Sequence, residues 1–128
     1  GAKDVEILWE NSDINIKTDD SLLQRLVFNI VDNAVKYNNQ GGKVEISAKD
    51  LDKEVQIKIA DTGIGISESD KKRIFDLFYQ IDPSRGQEGY GIGLSLSKTI
   101  ADMIRAKIEI TDNLPQGSIF IISIPKSL

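Results

Sequence analysis

The sequence predicts an α+β fold, a two-layer sandwich with a mixed, mostly antiparallel sheet and about three helices on one face. Two pairs of alternating apolar and polar segments, within residues 43–61 and 107–125, are each joined by a short polar link and read as hairpins with one buried face. Segments with helical periodicity lie before and between these hairpins, so the helices gather on one side of a sheet. The chain has 128 residues, 40% hydrophobic and 28% charged, enough for one core and too few for two, so residues 1–128 form a single domain.

Taken in order, "VEILWE" (5–10) and "INIKTD" (14–19) read as two short strands separated by the turn-forming "NSD". From Asp20 to Tyr37 the period becomes helical, with Leu23, Leu26, Val27, Ile30, Val31 and Ala34 on one apolar stripe. "NNQGG" ends that helix, Gly41 and Gly42 supplying the positive φ that stops a helical run. "KVEISAKD" and "EVQIKIAD" form the first hairpin across "LDK". Ser67, with Asp70 three residues on, opens a helix over "ESDKKRIFDLFYQ" (68–80) by a capping box. "IDPSRGQEGYGIG" (81–93) holds a proline and four glycines and reads as a mobile loop. "LSLSKTIADMIRA" (94–106) is helical, and "KIEITD" and "SIFIISIP", joined by "NLPQG", close the chain as a hairpin.

Composition removes several kinds of function. A net charge of −4 without any basic run gives no pull toward nucleic acid, which is not an expected partner. The absence of cysteine excludes disulfide and thiolate-metal scaffolds. No apolar run approaches the roughly 20 residues of a membrane-spanning helix, and no charged start followed by an apolar stretch and cleavage site gives the pattern of a signal peptide. Without histidine the commonest general base is missing, so chemistry falls to carboxylates, amides or lysine. The chain begins Gly1-Ala2 and has Met103 as its sole methionine, which reads as a cloning remnant on a piece of a longer protein.

Against that background "NIVDNAVKYNN" (29–39) is unusual. Asn33 and Lys36 fall within about 40° and 20° of Asn29 around the helix, opposite the aliphatic stripe, and Asp32 stands at the edge of that face. A row of amide oxygens ending in an ammonium suits Mg²⁺ and phosphate. The alternative is an ordinary solvated face. "DTGIGIS" (61–67) follows a strand, where Asp61 offers an acceptor for an exocyclic amine and Gly63 and Gly65 allow close backbone approach. It fails as a dinucleotide fingerprint, because Glu68 occupies the third glycine position. "GYGIGL" precedes a helix, so Gly89, Gly91 and Gly93 can turn backbone N–H groups toward an anion, although Ser97 and Ile92 exclude a Walker A loop.

In that order, "NIVDNAVKY", "DTGIGIS", "FDLF" and "GYGIGLSLSK" resemble the asparagine box, first glycine box, phenylalanine box and second glycine box of the catalytic and ATP-binding domain of bacterial sensor histidine kinases. The resemblance runs from about Val5 to the C-terminus and implies the Bergerat fold, shared with gyrase, mismatch-repair and chaperone ATPases. It also implies ATP or ADP with Mg²⁺ as ligands. Asn33 would hold Mg²⁺ with Asn29 beside it, Lys36 would meet phosphate, and Tyr37 would pack near the nucleotide. Asp61 would accept from adenine, Gly63, Gly65 and Ile66 would shape the base pocket, and Ser118 stands where the family usually has threonine. Gly89, Gly91, Gly93 and Leu94 would line the phosphates. Residues 81–87 would be the core of an ATP lid spanning about 79–92, and Arg85 would reach the γ-phosphate. Phe75 and Phe78 belong to the segment that hinges the lid, with packing on the domain's own core favoured over packing on partner helices.

The resemblance implies a kinase that phosphorylates a histidine on a separate dimerisation segment of the same parent. The parent would be a homodimer that serves a response regulator, in the cytoplasm or anchored in the inner membrane. The chain itself would bind ATP without phosphorylating itself. Related hydrolases carry glutamate four residues before the magnesium asparagine; Asn29 stands there and cannot take a proton from water, although Asp32 could assist as a base. The other readings are a serine/threonine kinase like the anti-sigma relatives, an ATP-driven clamp and a nucleotide-binding module without kinase activity.

Overall fold

The computed structural model describes residues 4–9, 18–76 and 90–126. The 14–17 part of the expected second strand, the 77–80 end of the expected second helix, Phe78, Arg85, Gly89 and residues 81–87 of the expected lid lie outside them, as do Gly1 and Ala2.

The elements follow as β1 (Glu6–Trp9), α1 (Asp20–Lys36), β2 (Lys43–Asp50), β3 (Glu54–Asp61), α2 (Glu68–Lys71), α3 (Tyr90–Met103), β4 (Lys107–Asp112) and β5 (Ser118–Pro125). The five strands form one sheet in the order β1-β2-β3-β5-β4. β1 runs parallel to β2 and every other neighbour pair is antiparallel. The parallel pair requires a long crossover, and α1 lies within it.

Alternation decides which face of the sheet is covered. Val44 and Ile46 of β2, Val55, Ile57 and Ile59 of β3, and Phe120, Ile122 and Ile124 of β5 are buried, whereas Lys43, Glu45 and Lys58 between them are exposed. The helices supply Leu26, Ile30 and Ala34 from α1 and Leu94, Ile100 and Ala101 from α3 to the same core. α1 packs on α3 and on β2 and β3. Among the described residues no helix is long and apolar enough to cross a membrane.

α1 and α2 start where expected, and the other helix boundaries differ for local reasons. α1 begins where Asp19 Oδ1 accepts from the Leu22 N–H at 3.0 Å. It ends at Lys36, ahead of the glycines, with Tyr37 as C-cap and the Asn38 N–H donating to the Val35 carbonyl at 3.1 Å. Gly41 does have positive φ (80°), but it sits in the following turn, and Gly42 does not share it.

Among its described residues, 68–76, the expected 68–80 helix is α-helical only over Glu68–Lys71. Ser67 caps it as read, its Oγ accepting from the Asp70 N–H at 3.2 Å. Tighter turns follow, with Arg73 N–H donating to the Asp70 carbonyl and Asp76 N–H to the Arg73 carbonyl, both at 2.9 Å. Side chains pin this segment. Lys71 Nζ reaches Glu68 at 2.7 Å and Asp112 on β4 at 2.8 Å, Ile74 is buried, and Phe75 meets Phe120 edge-on at 6.5 Å. The core is therefore where Phe75 packs.

α3 starts at Tyr90, four residues before the expected start at Leu94, and ends at Met103. The second glycine box thus opens the helix instead of preceding it, and the last residues assigned to the lid, 90–92, are helical. The C-terminal stop is Arg105, which adopts left-handed φ (59°) while the Ala106 N–H returns to the Ala101 carbonyl at 2.8 Å.

Candidate nucleotide site

The register brings three chain segments to one end of the sheet. Asp61, the last residue of β3, lies opposite Val44 near the start of β2, and Ser118 opens β5 beside it. The C-terminal half of α1 lies over the same end. Asn33 and Tyr37 from α1, Asp61 and Ser118 from the sheet, and Ile64, Gly65 and Ile66 from the connecting turn line one cavity based on Phe120.

Asp61 is only 7% exposed. Its Oδ1 accepts from the Gly63 N–H at 2.9 Å and the Ser118 N–H at 3.2 Å, and its backbone carbonyl accepts from Asn113 Nδ2 at 2.8 Å. Oδ1 is thereby committed, and Oδ2 remains as an acceptor toward the cavity. Burial pushes the carboxyl above its ordinary value, and the two backbone N–H groups pull it part of the way back. Asn33 is equally buried at 7%, and no hydrogen bond joins its amide to another described residue. Its polar atoms keep access to solvent, so they are open to a ligand.

The close packing of the turn explains its small residues. Gly65 takes positive φ (78°), which a side chain would resist. A Cβ on Gly117 would fall 1.9 Å from the Asp61 carbonyl oxygen, so only glycine lets the last hairpin approach Asp61. Gly63 has no positive φ; it is required because a Cβ there would come within 2.5 Å of the Tyr37 carbonyl oxygen. It packs behind the cavity without lining it.

The remaining expected residues fall around this centre. Asn29 lies one turn before Asn33 and lines a separate groove with Arg25 and Phe28; its Nδ2 is buried with no partner among the described residues. Lys36 Nζ pairs with Asp32 at 3.0 Å on the exposed side of α1. Gly91 and Gly93 lie in α3, close to where the described residues resume at Tyr90. Leu94 is a core side chain, so only its backbone is available to an anion.

Sequence reasoning did not find Asn113, Gly117, Ile64 or Phe120. Gly117 alone carried a local signal, in the "PQG" link, and that signal reads as a turn with no indication of Asp61 beside it.

The donor set fits a nucleotide with its cation. Among the described residues no cluster of three or more His, Cys, Asp or Glu could hold a metal; the oxygen donors present, amide and carboxylate, are of the type a hard cation takes alongside phosphate oxygens. A buried carboxylate, an amide and a tight glycine turn meet around a space of about 10 Å³; the donors are of the kind a purine and its phosphates use, and the space itself is smaller than such a ligand.

This fold and site define an ATPase-type nucleotide-binding domain, and the chain belongs to the histidine kinase-, DNA gyrase B-, and HSP90-like ATPase family, whose profile matches residues 18–128. Within that family its relatives are sensor kinases. It is 41% identical over 111 residues to the sensor protein CiaH of Streptococcus pneumoniae, covering 85% of this chain and 25% of that protein. It is 36% identical over 128 residues to the swarming motility regulation sensor protein RssA of Serratia marcescens, covering 98% of this chain and 27% of that one. The chain therefore spans about a quarter of the length of these curated relatives. Among solved structures, the mycobacterial sensor histidine kinase MprB superposes with a TM-score of 0.86 at 26% identity, covering 96% of this chain and 84% of that one. The catalytic domain of the histidine kinase ThkA gives 0.82 at 28%, covering 97% and 82%.

Proposed function

We propose that this domain binds ATP with Mg²⁺ and donates the γ-phosphoryl group to a histidine on a separate helical phosphoacceptor segment of the same parent protein. The observation that carries this reading is the meeting of Asn33 and Asp61 in one cavity. Asp61 Oδ2 accepts from the adenine amine, while Ile64, Gly65 and Ile66 wall the base and Tyr37 and Ser118 close around it. Asn33 holds Mg²⁺ with Asn29 beside it, and Lys36 adds positive charge. Gly91, Gly93 and Leu94 would offer backbone N–H groups to the phosphates, and by the resemblance Gly89 and Arg85, which lie outside the described residues, would join them, Arg85 toward the γ-phosphate. Mg²⁺, when bound, neutralises charge on the phosphate oxygens.

In the transfer itself the bond between the γ-phosphorus and its bridging oxygen breaks, ADP leaves with the electron pair, and a bond to imidazole nitrogen forms. The chain contributes position and charge, which dominate phosphoryl transfer. Asn29 provides no base for activating water, which favours keeping ATP for transfer over hydrolysing it; Asp32 is engaged with Lys36. Having no histidine, the domain binds ATP without labelling itself.

By likeness to the kinase ThkA, whose complex with the response regulator TrrA superposes with a TM-score of 0.77 at 28% identity, a response regulator takes the phosphoryl group downstream. The parent is then a homodimer with this domain on the cytoplasmic side. Mixing the domain with the parent's phosphoacceptor segment and radiolabelled ATP·Mg²⁺ tests the reading. Acid-labile, base-stable phosphate is expected on the segment's histidine. Tight ATP binding with no such label contradicts a kinase role.

A further inference from the structure

Behind the cavity lies a second polar cluster that lines none of it. Asn38 follows the end of α1 and is only 2% exposed. Its Nδ2 donates to the Lys43 carbonyl at 2.8 Å, and its Oδ1 accepts from the Asn39 N–H at 2.8 Å and from Thr62 Oγ1 at 3.2 Å. Thr62 Oγ1 in turn accepts from the Lys43 N–H at 2.9 Å, while the Thr62 N–H donates to the Lys43 carbonyl at 3.1 Å. The packing is tight, since a Cβ on Gly42 would fall 2.1 Å from Asn38 Oδ1 and 2.9 Å from Thr62 Oγ1. One step away on either side, Tyr37 and Asp61 line the cavity, and the Ile64 N–H donates to the Tyr37 carbonyl at 3.2 Å.

We infer that Asn38 and Thr62 are positioning residues that latch the C-terminal end of α1 to the turn after β3. The latch fixes the distance between the amide that holds the metal and phosphates and the carboxylate that recognises the base. This rests on the nucleotide reading of the cavity and extends it. The two halves of the ligand are read by elements that are far apart in sequence, and between the described residues of those elements the Asn38–Thr62 bond is a side-chain tie that crosses directly from one to the other. Buried polar networks of this kind impose one geometry because any shift leaves donors unmatched. A rigid spacing makes the halves cooperate: seating the base presents the phosphates to Asn33 at no further ordering cost.

The test measures ADP affinity with Mg²⁺ and with EDTA, for the wild-type domain, Thr62→Val and Thr62→Ser. Valine matches threonine in shape and lacks the hydroxyl; serine keeps it. In Thr62→Val the strengthening of ADP binding by Mg²⁺ is expected to shrink by about fivefold, the equivalent of one hydrogen bond. In Thr62→Ser it stays within about twofold of wild type. Circular dichroism establishes that each variant is folded at the titration temperature, and Thr62→Ala replaces Thr62→Val if the latter is not. An unchanged Mg²⁺ effect in the folded variant overturns the latch. Failure of both hydroxyl-free variants to fold overturns it too, as the cluster would then serve stability alone. Absence of ADP binding by the wild type would instead remove the nucleotide reading itself.

Discussion

Asp61 does two incompatible things unless its oxygens are divided. Oδ1 is spent on the Gly63 and Ser118 N–H groups, which hold the turn and the last strand in place, and Oδ2 serves the cavity. Burial raises its pKa, so between the ordinary carboxylate value and the raised one the folded state holds the proton more tightly than the unfolded state. Within that window stability falls as pH rises, and Asp61→Asn should flatten the slope in thermal melts across it. Binding runs the other way. The ionised carboxylate is the stronger acceptor from an amine, so ADP affinity is expected to increase as pH rises through the raised value, and a pH series of titrations checks this. Asp61 and Asn33 were legible in the sequence because each stands at a recognisable place, a strand end before glycines and the polar face of an apolar helix. Asn113, Gly117 and Thr62 were not, because their partners lie far away in sequence: Asn113 and Gly117 meet Asp61, and Thr62 meets Asn38.

At the level of elements, strands β2 to β5 and the starts of α1 and α2 were readable, and the other helix boundaries were not. Period-two alternation survives burial, so β2 to β5 fall on the expected residues. Helix ends answer to contacts that periodicity does not contain: Lys71 bridges to β4, Arg105 takes left-handed φ, and α3 starts within a glycine-rich run. The cap at the start of α1 is local and testable. Asp19→Ala removes the acceptor for the Leu22 N–H and should cost about 1 kcal/mol in denaturant unfolding, with ADP affinity barely changed. Gly117→Ala acts at the site end of the sheet. Its Cβ must displace the Asp61 carbonyl, so the variant should lose about 1–3 kcal/mol of stability together with most of its nucleotide affinity, as read by melting and titration. A variant as stable and as tightly binding as wild type would show that the hairpin and β3 do not meet as described.

Over the whole molecule, one sheet end gathers what lies far apart in the chain. Antiparallel pairing of β3 with both β2 and β5 sets Asp61 beside Ser118, and the crossover through α1 lays Asn33 above them. A site built this way has no histidine or cysteine to draw on; the order of four short motifs pointed to it, whereas the cavity needed the fold. The central claim is that this cavity holds a nucleotide with Asp61 on the base and Asn33 on the metal-bound phosphates. Calorimetric titration of ADP with Mg²⁺ into the wild-type domain and into folded Asp61→Asn tests it most directly. Wild type should bind, and replacing the charged Oδ2 acceptor by an amide NH₂ that faces the adenine amine donor to donor should weaken the variant by about 10- to 100-fold. Equal affinity in the two proteins, or no binding by either, would contradict the account.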